Sequence, residues 1–76
     1  MKSVQILLNS IEKVRGFVDS VSKFDNKFEL ISGKYIIDGK SIMGILSLDL
    51  MEPIRLNIYE KENLDQIMKV IASCTI

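Results

Sequence analysis

The chain has 76 residues, of which 47% are hydrophobic and 7% aromatic. That length bounds it to one small domain with a single core, a domain that buries only about 60–65% of its unfolded surface. Ten basic residues balance ten acidic ones, and neither half is strongly basic, so no nucleic-acid footprint is predicted.

Val4, Ile6 and Leu8 alternate with their neighbours, which predicts a first strand with one better-buried face. Asn9 or Ser10 then caps a helix, and Glu12, three residues after Asn9, suits a capping box. Ile11, Val14, Val18 and Val21 recur at helical spacing, with Phe17 and Phe24 beside them. Gly16 interrupts that helix at a cost of about 1 kcal/mol against alanine. Close packing against a strand would explain it. Asp25-Asn26 is the expected end of the helix.

Residues 27–38 read as a hairpin: Phe28 and Leu30 on one strand, a Ser32-Gly33-Lys34 turn, then Tyr35-Ile36-Ile37. Asp38-Gly39 breaks it, and Ser41 opens a short helix through Ser47 or Leu48. Ile54, Leu56 and Ile58 alternate with Arg55, Asn57 and Tyr59 after Pro53, the pattern of a half-buried strand. Glu62 or Asn63 starts a last helix, with Leu64, Ile67, Met68 and Ile71 on its inner face. The order is βαββαβα. It predicts an α+β open-faced sandwich, a four-stranded antiparallel sheet with three helices on one face, over residues 1–76.

This order, joined to SKF at residues 22–24 and KSIMGILSL at residues 40–48, resembles the HPr family. Those are the small phosphocarriers of the phosphoenolpyruvate-dependent sugar phosphotransferase system. The similarity runs without a gap over about residues 20–58, and the Ser-Ile-Met-Gly-x-x-Ser-Leu run is its most specific part. In HPr proteins of some Gram-positive bacteria, a dedicated kinase phosphorylates the serine that opens this helix. The phosphorylated form binds a transcription factor of carbon regulation. The resemblance therefore implies a regulatory phosphorylation site at Ser41. It also implies a partner-binding patch for phosphotransferase-system proteins at Ile42, Met43 and Leu46. A phosphate at a helix N-cap would sit near free N–H groups and the positive end of the dipole. A simpler reading makes Ser41 a cap worth about 1 kcal/mol and its apolar neighbours packing residues. Both readings stand at this point.

The family's transfer chemistry uses a phosphohistidine at the start of the first helix, in the pattern Gly-Ile-His-Ala-Arg-Pro-Ala. This sequence contains no histidine. Extending the resemblance backwards puts Ser10 at the histidine, Glu12 at the arginine and Lys13 at the proline. A glutamate there would repel a phosphate: like charges about 4 Å apart cost about 1 kcal/mol in water and several where solvent is excluded. Arg15 and Lys13 on nearby turns would compensate in part. A serine phosphate ester also has far lower transfer potential than a phosphohistidine. The resemblance thus implies a divergent member with no catalytic residue and no phosphohistidine.

No metal or cofactor is expected, since histidine is absent and the carboxylates are spread singly. Gly33, Gly39 and Gly44 are too scattered for a phosphate loop. The single cysteine, Cys74, has no disulfide partner and fits a reducing compartment. It reads as a small apolar residue in a fraying tail. Met43, Met51 and Met68 read as core or rim, with Met43 suited to an adaptable docking surface. MKSVQILLNSIEK has neither the length nor the flanks of a signal peptide or a membrane span. The expected location is cytoplasmic, with no membrane partner and no enzymatic activity. The expected function is the first of the following, with the other two as alternatives. The chain is a regulatory, partner-binding HPr-like protein; or a residual phosphoryl carrier using Ser10 or Ser41; or a reused fold that self-associates, with Ile42, Met43 and Leu46 as the homodimer face.

Overall fold

β1 (Lys2–Ile6), β2 (Phe28–Ser32), β3 (Tyr35–Asp38) and β4 (Ile54–Ile58) form one antiparallel sheet in the order β1-β4-β2-β3. The computed structural model describes residues 1–59 and 62–76. Alternation along each strand decides which face is covered. Ile54, Leu56 and Ile58 of β4 turn inward and are fully buried, joined by Ile6, Phe28 and Leu30. Leu56 lies opposite Val4 on one side and Leu30 on the other. Gln5 and Arg55 are exposed on the opposite face.

α1 (Ile11–Val21), α2 (Ile42–Leu46) and α3 (Leu64–Val70) cover the inner face, and a 3-10 turn, Ala72–Cys74, follows α3. Val14, Phe17, Val18 and Val21 come from α1, Ile45 from α2 and Ile67 from α3, all in one core with the strands. Leu64 and Met68 pack against that core, and Ile71 is buried in it. The expected α+β open-faced sandwich is the fold observed.

Several expectations need correction. α1 stops at Val21, short of Asp25-Asn26. A tight turn follows, with Phe24 N–H bonded to the Val21 carbonyl at 3.1 Å. Partners distant in sequence hold it: Asn26 Nδ2 donates to the Tyr59 carbonyl at 2.9 Å and Lys40 Nζ to the Phe24 carbonyl at 2.7 Å. Ile11 is 52% exposed despite its helical spacing, because it is the first helical residue and precedes the turn that meets the core. Gly16 is exposed, and a methyl group there would meet nothing within 4 Å, so close packing does not explain it. The C-terminal segment is not frayed. Cys74 is buried, its carbonyl accepts from Leu7 N–H at 2.9 Å, and Ile76 N–H donates to the Gln5 carbonyl at 3.0 Å.

Candidate functional site

The end of β3 aims α2. Gly39 N–H donates to the Phe28 carbonyl at 2.8 Å, and a methyl at Gly39 would stand 2.8 Å from Phe28 Cβ. Asp38 then folds the chain back on itself. Its Oδ1 accepts from Lys40 N–H at 2.9 Å, and its carbonyl accepts from Ser41 N–H at 3.0 Å. Ser41 arrives extended, and its Oγ accepts from Gly44 N–H at 3.1 Å, the N-cap geometry. Gly44 lets α2 sit directly on β3, since a methyl there would lie 2.7 Å from Ile37 Cγ2.

α2 has five residues, and its faces divide sharply. Ile45 is fully buried, and Ile42 is half-buried against the core. Met43 is 80% exposed and Leu46 39%. Of the three residues expected at a patch, Met43 and Leu46 are exposed, while Ile42 packs in part against the core. Met43 and Met51 do not lie in the core: both project into solvent, Met51 at 75% exposure, and Met68 alone of the three packs against the core. The pattern of apolar residues could not tell which side of so short a helix faces inward.

At α1 the cap is Ser10, whose Oγ accepts from Lys13 N–H at 3.1 Å. The expected Asn9–Glu12 box does not form, because with Ser10 as cap the third helical residue is Lys13. Glu12 is an exposed first-turn carboxylate, a position that favours the helix. Glu12 and Lys13 line a groove of about 280 Å³ with Gly16, Phe17, Val70 and Cys74. Neither Ser10 nor Ser41 lines it. Burial pushes the Cys74 thiol pKa up, and its Sγ donates to the Ile71 carbonyl.

A second hollow, of about 410 Å³, lies between the start of β2 and β3, among Lys27, Glu29, Asp38 and Lys40. Tyr59 OH donates to Glu29 Oε1 at 2.5 Å, and Lys27 Nζ stands 3.4 Å from Oε2. The Tyr59 bond, aided by Lys27, holds the Glu29 carboxyl below its ordinary range, and the same bond raises the Tyr59 phenol. Sequence reasoning missed this cluster, in which Glu29 meets Tyr59 from thirty residues away. It also missed the exposed Ile11, for which the only local signal was its place directly after the cap.

Solved structures share this fold. HPr-C-His from Thermoanaerobacter tengcongensis is 25% identical, with a TM-score of 0.77, over 96% of this chain and 89% of that one. The histidine-containing phosphocarrier protein of Mycoplasma is 15% identical, with a TM-score of 0.73, over 95% and 89%. Phosphocarrier protein HPr from Bacillus anthracis str. Ames is 23% identical, with a TM-score of 0.66, over 96% and 93%. This chain has the HPr-like fold. No family model matches it, and no curated protein matches it at a significant level. The HPr-like chain contains no histidine at any position, and Ser10 caps α1 where the resemblance puts the family's phosphoryl acceptor.

Proposed function

We propose that this HPr-like chain is a partner-binding, regulatory protein of the phosphotransferase system that forms no phosphohistidine. One observation carries the reading. α2 presents the cap Ser41 beside exposed Met43 and Leu46, on a chain with no histidine. Phosphoryl transfer of the family's kind needs an imidazole nitrogen as nucleophile. Ser10 Oγ and Ser41 Oγ each accept one cap bond at 3.1 Å, so the caps do not separate them; Ser10 has the Glu12 carboxylate in its helix's first turn, whereas α2 has no acidic residue in its first turn. Ser41 is the better phosphate acceptor for regulation. Its Oγ faces the N–H end of α2, and a phosphate there would add charged oxygens beside the same donors.

The partners are phosphotransferase-system proteins that dock on Met43 and Leu46. An HPr serine kinase modifies Ser41, and a carbon-regulation transcription factor reads the modified form. The protein is a non-enzymatic component of the cytoplasm. Among the described residues no helix is long and apolar enough to cross a membrane.

The test uses two phosphate donors on the purified chain. One arm supplies phosphoenolpyruvate and the phosphotransferase enzyme; the other supplies ATP and an HPr serine kinase. Mass spectrometry then locates any phosphate. Phosphate on Ser41 from ATP alone, lost in Ser41→Ala, is the expected result. Phosphate from phosphoenolpyruvate on Ser10 or Ser41 would replace this reading with that of a residual carrier.

A further inference from the structure

The two edges of the sheet are treated differently. Outside β1 the C-terminal segment adds bonds from Leu7 N–H to Cys74 and from Ile76 N–H to Gln5, with a bridge between Ile6 and Thr75. Outside β3 no described strand lies. The bond from Gly39 N–H to the Phe28 carbonyl marks Phe28 and Gly39 as a hydrogen-bonded pair. Bonded and non-bonded pairs alternate along an antiparallel ladder. Leu30–Ile37 and Ser32–Tyr35 are then bonded pairs, while Ile31–Ile36 is not. Ile36 therefore turns both its N–H and its C=O to the open edge. The Asp38 N–H and the Lys34 C=O point the same way, whereas the Asp38 carbonyl is taken by Ser41 N–H.

Open edges are ordinarily blunted by shortness, charges, a proline or a bulge. β3 is short, four residues reading Tyr-Ile-Ile-Asp with its one charge at the end, and its Tyr35, Ile36 and Ile37 carry no charge, proline or bulge. Tyr35 is 66% exposed and Ile36 65%. The charges flank the apolar run and have opposite signs, Lys34 before it and Asp38 at its end. That arrangement is self-complementary. Two copies paired antiparallel about Ile36 place each Lys34 opposite Asp38 of the second copy, and each Tyr35 opposite Ile37. The same register joins the two Ile36 backbones reciprocally and sends each Asp38 N–H to the Lys34 carbonyl across the seam. Ile31 and Ile36 of both copies would form one apolar row on the outer face.

We propose that the β3 edge is a homodimer interface, pairing with β3 of a second copy in the register centred on Ile36. It is distinct from the α2 surface and leaves Met43 and Leu46 open. The decisive experiment is sedimentation equilibrium of the full chain, with circular dichroism to verify folding. The mass is expected to rise with concentration from 8.6 kDa towards twice that value. Lys34→Glu puts like charges opposite each other at both ends and weakens the dimer about tenfold. Adding Asp38→Lys restores complementarity and recovers the loss. Because Asp38 also holds Lys40 N–H, a second probe avoids that position: Ile36→Cys in a Cys74→Ser background. Facing residues of a bonded pair sit about 5.5 Å apart at Cα, within the span of a short bis-maleimide cross-linker. The cross-linker should join two copies at Ile36→Cys and none at Gln5→Cys on the opposite edge. A monomer at all concentrations up to about 1 mM overturns the proposal. So does a dimer that Lys34→Glu leaves unchanged and Ile36→Cys fails to cross-link, which would place the contact on another face.

Discussion

At Gly16 an added methyl meets nothing within 4 Å, and the position is exposed on α1. Alanine there gains helix propensity with no steric cost. Gly16→Ala is expected to stabilise the fold by about 0.5–1 kcal/mol, raising the melting temperature by several degrees. Gly44 answers the same change with the opposite sign. Its methyl would lie 2.7 Å from Ile37 Cγ2 and 3.1 Å from Ser41 Oγ. Overpacking costs about 1–3 kcal/mol, and the propensity gain returns at most about 1. Gly44→Ala should therefore lower stability by about 1 kcal/mol and disturb the Ser41 cap. Thermal unfolding of the two variants side by side checks both signs. A stabilising Gly44→Ala would show that α2 does not rest on β3 as closely as the geometry states.

Between elements, the Glu29–Tyr59 bond ties β2 to the residue after β4. Glu29 has its pKa lowered from 4.5, first by Tyr59 and then by Lys27 and Asn57, against an opposing effect of burial. The folded state thus binds fewer protons there than the unfolded state. Its stabilising effect is complete above about 4.5 and is lost as pH falls through the lowered value. Tyr59 is raised from 10.0, so its contribution is present below that pH and lost as pH rises through the raised value. Tyr59→Phe should move the Glu29 titration up, read from its carboxyl carbon by NMR across the acid range. An unmoved titration would assign the shift elsewhere. These links also show what the sequence could carry. The strands were legible because alternation at two-residue spacing records which side chains the core takes. Ser41 was legible because a cap is local chemistry. The end of α1 was not, since Asn26 finds its partner at Tyr59, thirty-three residues away. Cys74 was misread for the same reason, its anchor being Leu7. Met43 was half legible: its apolar character is in the sequence, but its direction depends on how α2 lies against β3.

Across the whole molecule, one core must hold every element, and β4 runs through its centre. A domain of this length has about 4–11 kcal/mol of stability. Leu56 is fully buried and lies between Val4 of β1 and Leu30 of β2. Leu56→Ala removes its contacts with two strands at once, and a cavity in a packed core costs about 2–5 kcal/mol. The midpoint of urea unfolding should fall by a large fraction of its value with an unchanged slope. Met43→Ala removes a side chain of comparable size that is 80% exposed. Its stability should stay within about 0.5 kcal/mol of the parent chain. The pair separates what holds the fold from what the fold displays. If Met43→Ala were instead as damaging as Leu56→Ala, α2 would be a packing helix, and its surface could not be spare for a partner. If Met43→Ala leaves unfolding unchanged and weakens capture by a phosphotransferase-system protein, the apolar side chain is exposed for binding. A small domain with little stability in reserve gains nothing for its own core by leaving a large apolar residue in water.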